Sequence, residues 1–277
     1  MNPQLIRVVT APALLAGLAI CVWIDYLRNE GPGAIALVVA AFAVVSFREL
    51  CAMARLKGLK PVEWAGVAAV LLTYAVLFLK PKEVDAWDYI PVVAAGLAVV
   101  VLVTLVLRSK EVAPPDAAFT VFAFGYISLL VFVFWEKDQD RRDWLHWLLF
   151  LVCTNKGSDI AAFVFGKLFG RRKMAPEISP NKTWEGAGAG LVAGTVLGAW
   201  ALGHMDGMNE PVKVWVMALV VTIAAQTGDL VKSTVKRWAG VKDSGRLLPE
   251  FGGALDMVDS FILSAPIAAL LMRVFFN

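Results

Sequence analysis

Long apolar runs, most of them close to twenty residues, alternate along the chain with short polar stretches. Nine such runs lie near residues 6–26, 32–54, 62–79, 87–107, 117–135, 144–166, 184–204, 211–230 and 259–276. A bilayer core about 30 Å thick needs roughly 20 apolar residues in a helix to cross it. The run from Tyr89 to Leu107, free of Asp, Glu, Lys and Arg, meets that demand cleanly. The alternating pattern of a membrane β-barrel is absent, and in lipid only a helix satisfies the backbone of such a run from within. The pattern therefore predicts an all-α, polytopic integral membrane protein with about nine transmembrane helices. The run from Val8 to Ile24 follows Arg7 as a secretory leader would. It ends at Asp25 with no small-residue cleavage site, however, and reads as a retained first helix. No long polar linker divides the chain, so the helices of 1–140 and the more polar region 141–277 read as one continuous membrane domain.

Composition agrees. The 277 residues are 59% hydrophobic and 18% charged, below the roughly 25% charged residues of soluble domains, and the mean hydropathy is +0.69. The net charge of +3 matters less than its placement. With nine spans, sixteen Lys and Arg fall on the side of Arg7, mostly in the loops after the sixth and eighth runs, against eight on the other side. Basic loops stay cytoplasmic, so the N-terminus and the polar loops are expected there, in the cytoplasmic membrane. Cys21, Cys51 and Cys153 lie in apolar runs with neither metal-ligand nor disulfide spacing. Gly186, Gly190, Gly194 and Gly198 recur every fourth residue, a stripe that lets helices approach closely in lipid. Packing within the chain is the first reading of it, and a homodimer seam the alternative.

Two regions interrupt the apolar pattern. In Cys153-Thr-Asn-Lys-Gly-Ser-Asp159 a Lys and an Asp sit within a run. Such charges cost roughly 2.5–3.5 kcal/mol at the centre of a membrane helix. Lys156 and Asp159 either pair with each other or line a polar cavity. The basic stretch from Gly166 to Lys173 and then Ile178-Ser-Pro-Asn-Lys-Thr-Trp-Glu-Gly186 follow. Ser179 or Thr183 is placed to cap the next helix, and amides at such a start beside Lys182 suit a phosphate. The second region runs from Gln226 to Ser260 and carries Asp229, Asp256 and Asp259 among Lys236, Arg237 and Lys242. Asp256 and Asp259, at i and i+3, share one face of a helix. Each alone is explained by the helix dipole. Together with Asp229 they form a carboxylate set suited to Mg²⁺ or Mn²⁺. Neighbouring Lys and Arg would neutralise phosphates, and Gly252-Gly253 would let backbone approach them. Carboxylates, a divalent ion and basic residues suit nucleotide phosphoryl chemistry, although no Walker A, GxGxxG or HExxH motif occurs.

The stretch from Ser233 to Asp259 reads S-x-x-K-R-x-x-x-x-K-D-x(5)-P-x-x-G-G-x-x-D-x-x-D. It closely resembles the C-terminal motif of phosphatidate cytidylyltransferases, the CDP-diacylglycerol synthases of phospholipid biosynthesis. Ser158-Asp159 with Gly166 and Gly170, and Ser179-Pro-Asn-Lys-Thr-Trp-Glu-Gly186, match that family's central motif. The first 140 residues match only as a set of hydrophobic helices. The resemblance implies a nucleotidyltransferase that converts CTP and phosphatidate to CDP-diacylglycerol and pyrophosphate with a divalent metal; a monovalent cation is a further candidate cofactor. It implies a metal site at Asp229, Asp256 and Asp259, with Asp256, Asp259, Lys236 and Lys242 catalytic. Asp159, Ser179, Lys182, Thr183, Ser233, Arg237, Asp243, Gly252 and Gly253 would bind substrate. The bilayer, CTP and phosphatidate are the expected partners, with no nucleic acid.

Three departures stand out. Phe251 replaces the His of the usual P-G-H-G-G, Met257 replaces the usual Arg between the last two aspartates, and Lys232 stands where an acidic residue often precedes the Ser. No proton transfer can run through a His at 251, and His146 and His204 lie near the expected outer helix ends and read as structural. A phosphate nucleophile needs no strong base. Positioning and charge stabilisation would carry an in-line attack on the α-phosphorus of CTP. The alternatives are the same chemistry on another lipid phosphate, or an ion-coupled transporter using Lys156, Asp159 and Asp229.

Overall fold

The computed structural model describes residues 16–17, 19–27, 33–79, 93–100, 114–134, 143–205, 207–245 and 252–276. Its named helices are α1 (Gly33–Leu56), α2 (Glu63–Leu79), α3 (Pro114–Ser128, continued by a 3₁₀ turn Leu129–Phe134), α4 (Asp143–Phe169), α5 (Trp184–Leu202), α6 (Pro211–Ala239) and α7 (Ala254–Phe276). Strands β1 (Lys173–Ala175) and β2 (Ser179–Thr183) form a small antiparallel hairpin between α4 and α5. Among the described residues, α1, α3 with its extension, α4, α5, α6 and α7 are long and apolar enough to cross a bilayer. The chain is an all-α, multi-pass membrane protein. Seven of the nine expected runs are these helices. The runs near 6–26 and 87–107 fall largely outside the described residues, with 19–27 and 93–100 helical.

The last two helices differ from expectation. The run 211–230 continues as helix to Ala239, because residues 230–239 contain neither Gly nor Pro. Gly240, at φ 78, then ends it in the left-handed region that glycine enters freely. Asp229 is therefore inside a helix and not at its end. Likewise α4 runs unbroken through Lys156 and Asp159, and α7 begins at Ala254, a turn and a half before the apolar run.

The chain divides into two compact units, Met1–Val131 with Trp238–Val258, and Phe132–Arg237 with Asp259–Asn277. In the first, α1, α2 and α3 pack on one another. Asp25 starts α1 by accepting from Ala34 N (2.6 Å) and Ile35 N (2.9 Å), satisfying amides that a helix start leaves open. Gly66 is required where α2 meets α1, since a Cβ there would lie 1.9 Å from the Phe47 ring. The link between them is tied to α3: Lys60 N donates to Asp116 (2.7 Å) and Val62 N to Thr120 (3.0 Å).

In the second unit α4 and α5 pack closely on one another. Gly186, Gly190, Gly194 and Gly198 are all buried. A Cβ on Gly186 would lie 2.6 Å from Ala162 O, on Gly190 2.8 Å from Ser158 O, on Gly194 2.9 Å from Thr154 O, and on Gly198 2.3 Å from Thr154 Oγ1. The glycine stripe is a seam inside the chain. Thr183 caps α5 by accepting from Gly186 N (3.2 Å), as one of the two expected caps.

Candidate active site

Four charged side chains of the second unit converge where β2, α6 and α7 meet. Lys232 and Asp229 sit one turn apart on α6, with Nζ to Oδ1 at 3.0 Å. Lys232 also pairs with Asp259 of α7, and Lys182 of β2 reaches Asp229 Oδ2 at 2.5 Å. Lys232 is only 6% exposed and Asp259 3%. Gly228 makes the approach of α6 to α7 possible, because a Cβ there would meet Asp259 O at 2.8 Å. Buried ions this costly persist only when paired and hydrogen-bonded, and here two ammonium groups balance two carboxylates. Gln226 ties α6 to its neighbours by donating to Ser158 Oγ and to Ala187 O, both at 3.1 Å.

Other expected residues surround this cluster or lie apart from it. Ser233 is buried next to Lys232. Lys236 and Arg237 occupy the last turn of α6, and Arg237 Nε donates to Ile178 O of the hairpin link at 3.0 Å. Ser179 is in β2, paired with Ala175. The Thr183 hydroxyl is taken by the α5 cap. Asp159 is half exposed and pairs with Lys156 at 3.4 Å, the self-pairing that was one of the two readings of that stretch.

The first unit holds a second polar knot. Asp256 Oδ2 accepts from Ser244 N (3.1 Å), Ser244 Oγ (2.9 Å) and Gly253 N (3.3 Å). It thereby caps the start of its own helix, behind Gly252 at φ 86. Glu49, buried in α1, accepts from Ala254 N, Leu255 N and Ser244 Oγ, each at 2.9 Å. Lys242 and Asp243 are exposed on the link before Ser244. Arg246, Pro249 and Phe251 lie outside the described residues.

Sequence reasoning missed Glu49 and treated Lys232 only as a departure from a pattern. Each carried a signal, a charge within or beside an apolar run, but its partners lie on other helices. Among the described residues no three or more His, Cys, Asp or Glu gather where they could share one ion. Asp229 and Asp259 still fit a hard divalent cation, since Mg²⁺ is usually held by one or two carboxylates completed by substrate phosphates and water. The pair of ammonium groups beside them suits those phosphates.

Comparison with known proteins agrees with this chemistry. The model of a cytidylyltransferase family matches residues 5–275. Phosphatidate cytidylyltransferase of Staphylococcus aureus (strain COL) is 31% identical over 266 residues, covering 94% of this chain and 97% of that protein. The namesake proteins of Staphylococcus saprophyticus and Staphylococcus epidermidis are each 30% identical, with the same coverage.

Proposed function

The chain belongs to the cytidylyltransferase family, and from that premise we propose that it is a phosphatidate cytidylyltransferase of phospholipid biosynthesis. It is a nucleotidyltransferase. The observation that carries its site is the charge-balanced cluster Lys182–Asp229–Lys232–Asp259, half of it buried, where membrane-spanning helices meet a polar hairpin. A phosphate oxygen of phosphatidate attacks the α-phosphorus of CTP. A new P–O bond forms, the bond from the α-phosphorus to the bridging oxygen breaks, and pyrophosphate carries away the electron pair. Lys182 and Lys232, held by carboxylates, offer fixed positive charge to the phosphates with no reorganisation at the moment of reaction. Asp229 and Asp259 are the ligands proposed for Mg²⁺ or Mn²⁺. Bound there, the ion supplies further positive charge to the triphosphate oxygens. Lys236 and Arg237, in the last turn of α6, are proposed to complete the anion-binding set with Ser233 and Ser179.

Sixteen basic residues against eight support a cytoplasmic N-terminus and a site facing the cytoplasm, where CTP is found. The lipid substrate enters from the bilayer. Purified protein in nanodiscs, given phosphatidate and CTP labelled at the α-phosphorus, is expected to move label into the lipid phase with one pyrophosphate per lipid. Phosphatidate should be preferred over a prenyl phosphate, and CTP or dCTP over ATP and GTP. Absence of lipid-phase label overturns the reading, and equal use of a prenyl phosphate changes its substrate.

A further inference from the structure

The end of α1 and the start of α2 enclose a groove of about 480 Å³ in the first unit, within the size range of small-ligand pockets. Arg48, Arg55 and Glu63 line its polar end. The two arginines are two turns apart on one side of α1, and both reach the single carboxylate that opens α2. Arg48 Nε donates to Glu63 Oε1 at 2.7 Å, and an Arg55 amino group donates to Oε2. Both guanidinium groups are thereby held in place while their side chains stay 65% and 49% exposed. A guanidinium has five N–H groups, and among the described residues each gives one to Glu63. Most of both forks is left for a second acceptor. Two positive charges against one negative leave this end of the groove at +1.

The groove changes character within one turn. Val44 lies one turn before Arg48 in α1, and Val67 one turn after Glu63 in α2, and both line it. Long and apolar enough to cross the bilayer, α1 ends at Leu56, and the Gly66–Phe47 contact brings α2 back along it. On both helices the apolar wall therefore lies deeper than the charges. Trp64, on the same wall and 54% exposed, is of the residue type that gathers at head-group level. Charge above and hydrocarbon below is the profile of a phospholipid. Guanidinium forks match phosphate oxygens in geometry. A soluble phosphate has no use for the lower wall, and a zwitterionic head group brings an ammonium against two guanidinium groups. A lipid phosphodiester with one negative charge fits the forks, the +1 and the apolar wall together.

We infer that this groove binds an anionic glycerophospholipid of single negative charge. Its phosphodiester lies on Arg48 and Arg55, and the upper part of an acyl chain lies against Val44 and Val67. The site shares no residue with the Lys182–Asp229–Lys232–Asp259 cluster, and the inference stands whether or not the chain transfers cytidylyl groups.

Native mass spectrometry of the full-length protein in detergent, titrated with phosphatidylglycerol or phosphatidylcholine, provides the test. The wild type is expected to retain one phosphatidylglycerol at a concentration at least fivefold below that needed for phosphatidylcholine. Arg48→Gln combined with Arg55→Gln should raise that concentration at least fivefold. Arg171→Gln combined with Arg172→Gln removes the same charge from the exposed link before β1, and should leave it within twofold. Glycerol 3-phosphate in hundredfold excess should not displace the lipid. Should the Arg48 and Arg55 variant fold poorly, Val67→Trp keeps every charge and fills the groove, and should also raise the concentration at least fivefold. Equal retention of the two lipids overturns the inference, as does retention within twofold of wild type in whichever groove variant folds. An equal loss in the Arg171 and Arg172 variant shows charge alone at work and overturns it too. Displacement by glycerol 3-phosphate overturns it in favour of a soluble phosphate.

Discussion

Asp256 and Asp259 are three residues apart on one helix, yet they are held by different chemistry. Asp259 is paired with the ammonium of Lys232 among other charges, whereas Asp256 is held by two backbone amides and a hydroxyl. An ammonium on a flexible stem neutralises a carboxylate and can give way to another cation. Neutral donors fix a carboxylate in direction. The pair therefore shows how one short motif supplies both a group ready for charge exchange and a group that shapes the backbone. Spacing on a helix face does not by itself assign two carboxylates to one task.

The comparison is sharpened by removing each partner in turn. Asp259→Asn should lower turnover about 10²–10³-fold, the loss typical of one electrostatic partner of a transition state. Lys232→Met should in addition destabilise the fold by about 3–5 kcal/mol, since it removes the ammonium partner of the buried Asp259. Kinetics and thermal unfolding of the two variants and their double will show non-additive losses in turnover if the groups act as a unit. Asp256→Asn should cost less, about tenfold or roughly 1.4 kcal/mol, because an amide oxygen still accepts from Ser244 N. An Asp256→Asn loss equal to that of Asp259→Asn would dissolve the distinction. The exposed pair of Lys213 and Glu210, 2.5 Å apart, marks the lower limit. Glu210→Gln should change stability by less than about 1 kcal/mol and leave turnover unchanged.

What was legible in the sequence follows from locality. The apolar runs announced their helices because length and composition are properties of a contiguous segment, and the i, i+4 glycines announced a close helix contact. Thr183 as a cap was readable from the residues beside it. Lys232 was not, because its meaning depends on Asp259 in another helix. Glu49 was less so, since the amides it caps are two hundred residues on. The extension of α6 to Ala239 was hidden for another reason: apolar patterning stops near Leu230, although the backbone stays helical until Gly240. The β1–β2 hairpin left no alternation to detect, being three and five residues long.

The glycine seam of α5 has a consequence for inheritance. A single-base missense change in a glycine codon always yields a residue that carries a Cβ. At Gly186, Gly190, Gly194 and Gly198 that one atom already falls within 3 Å of a neighbouring helix, so every missense change there overpacks the contact. The conservative choices, Ala and Ser, are included. A helix with none of the cluster's four charges is thus a place where random mutation is poorly forgiven, and loss-of-function alleles of the gene should gather there as densely as at the carboxylates.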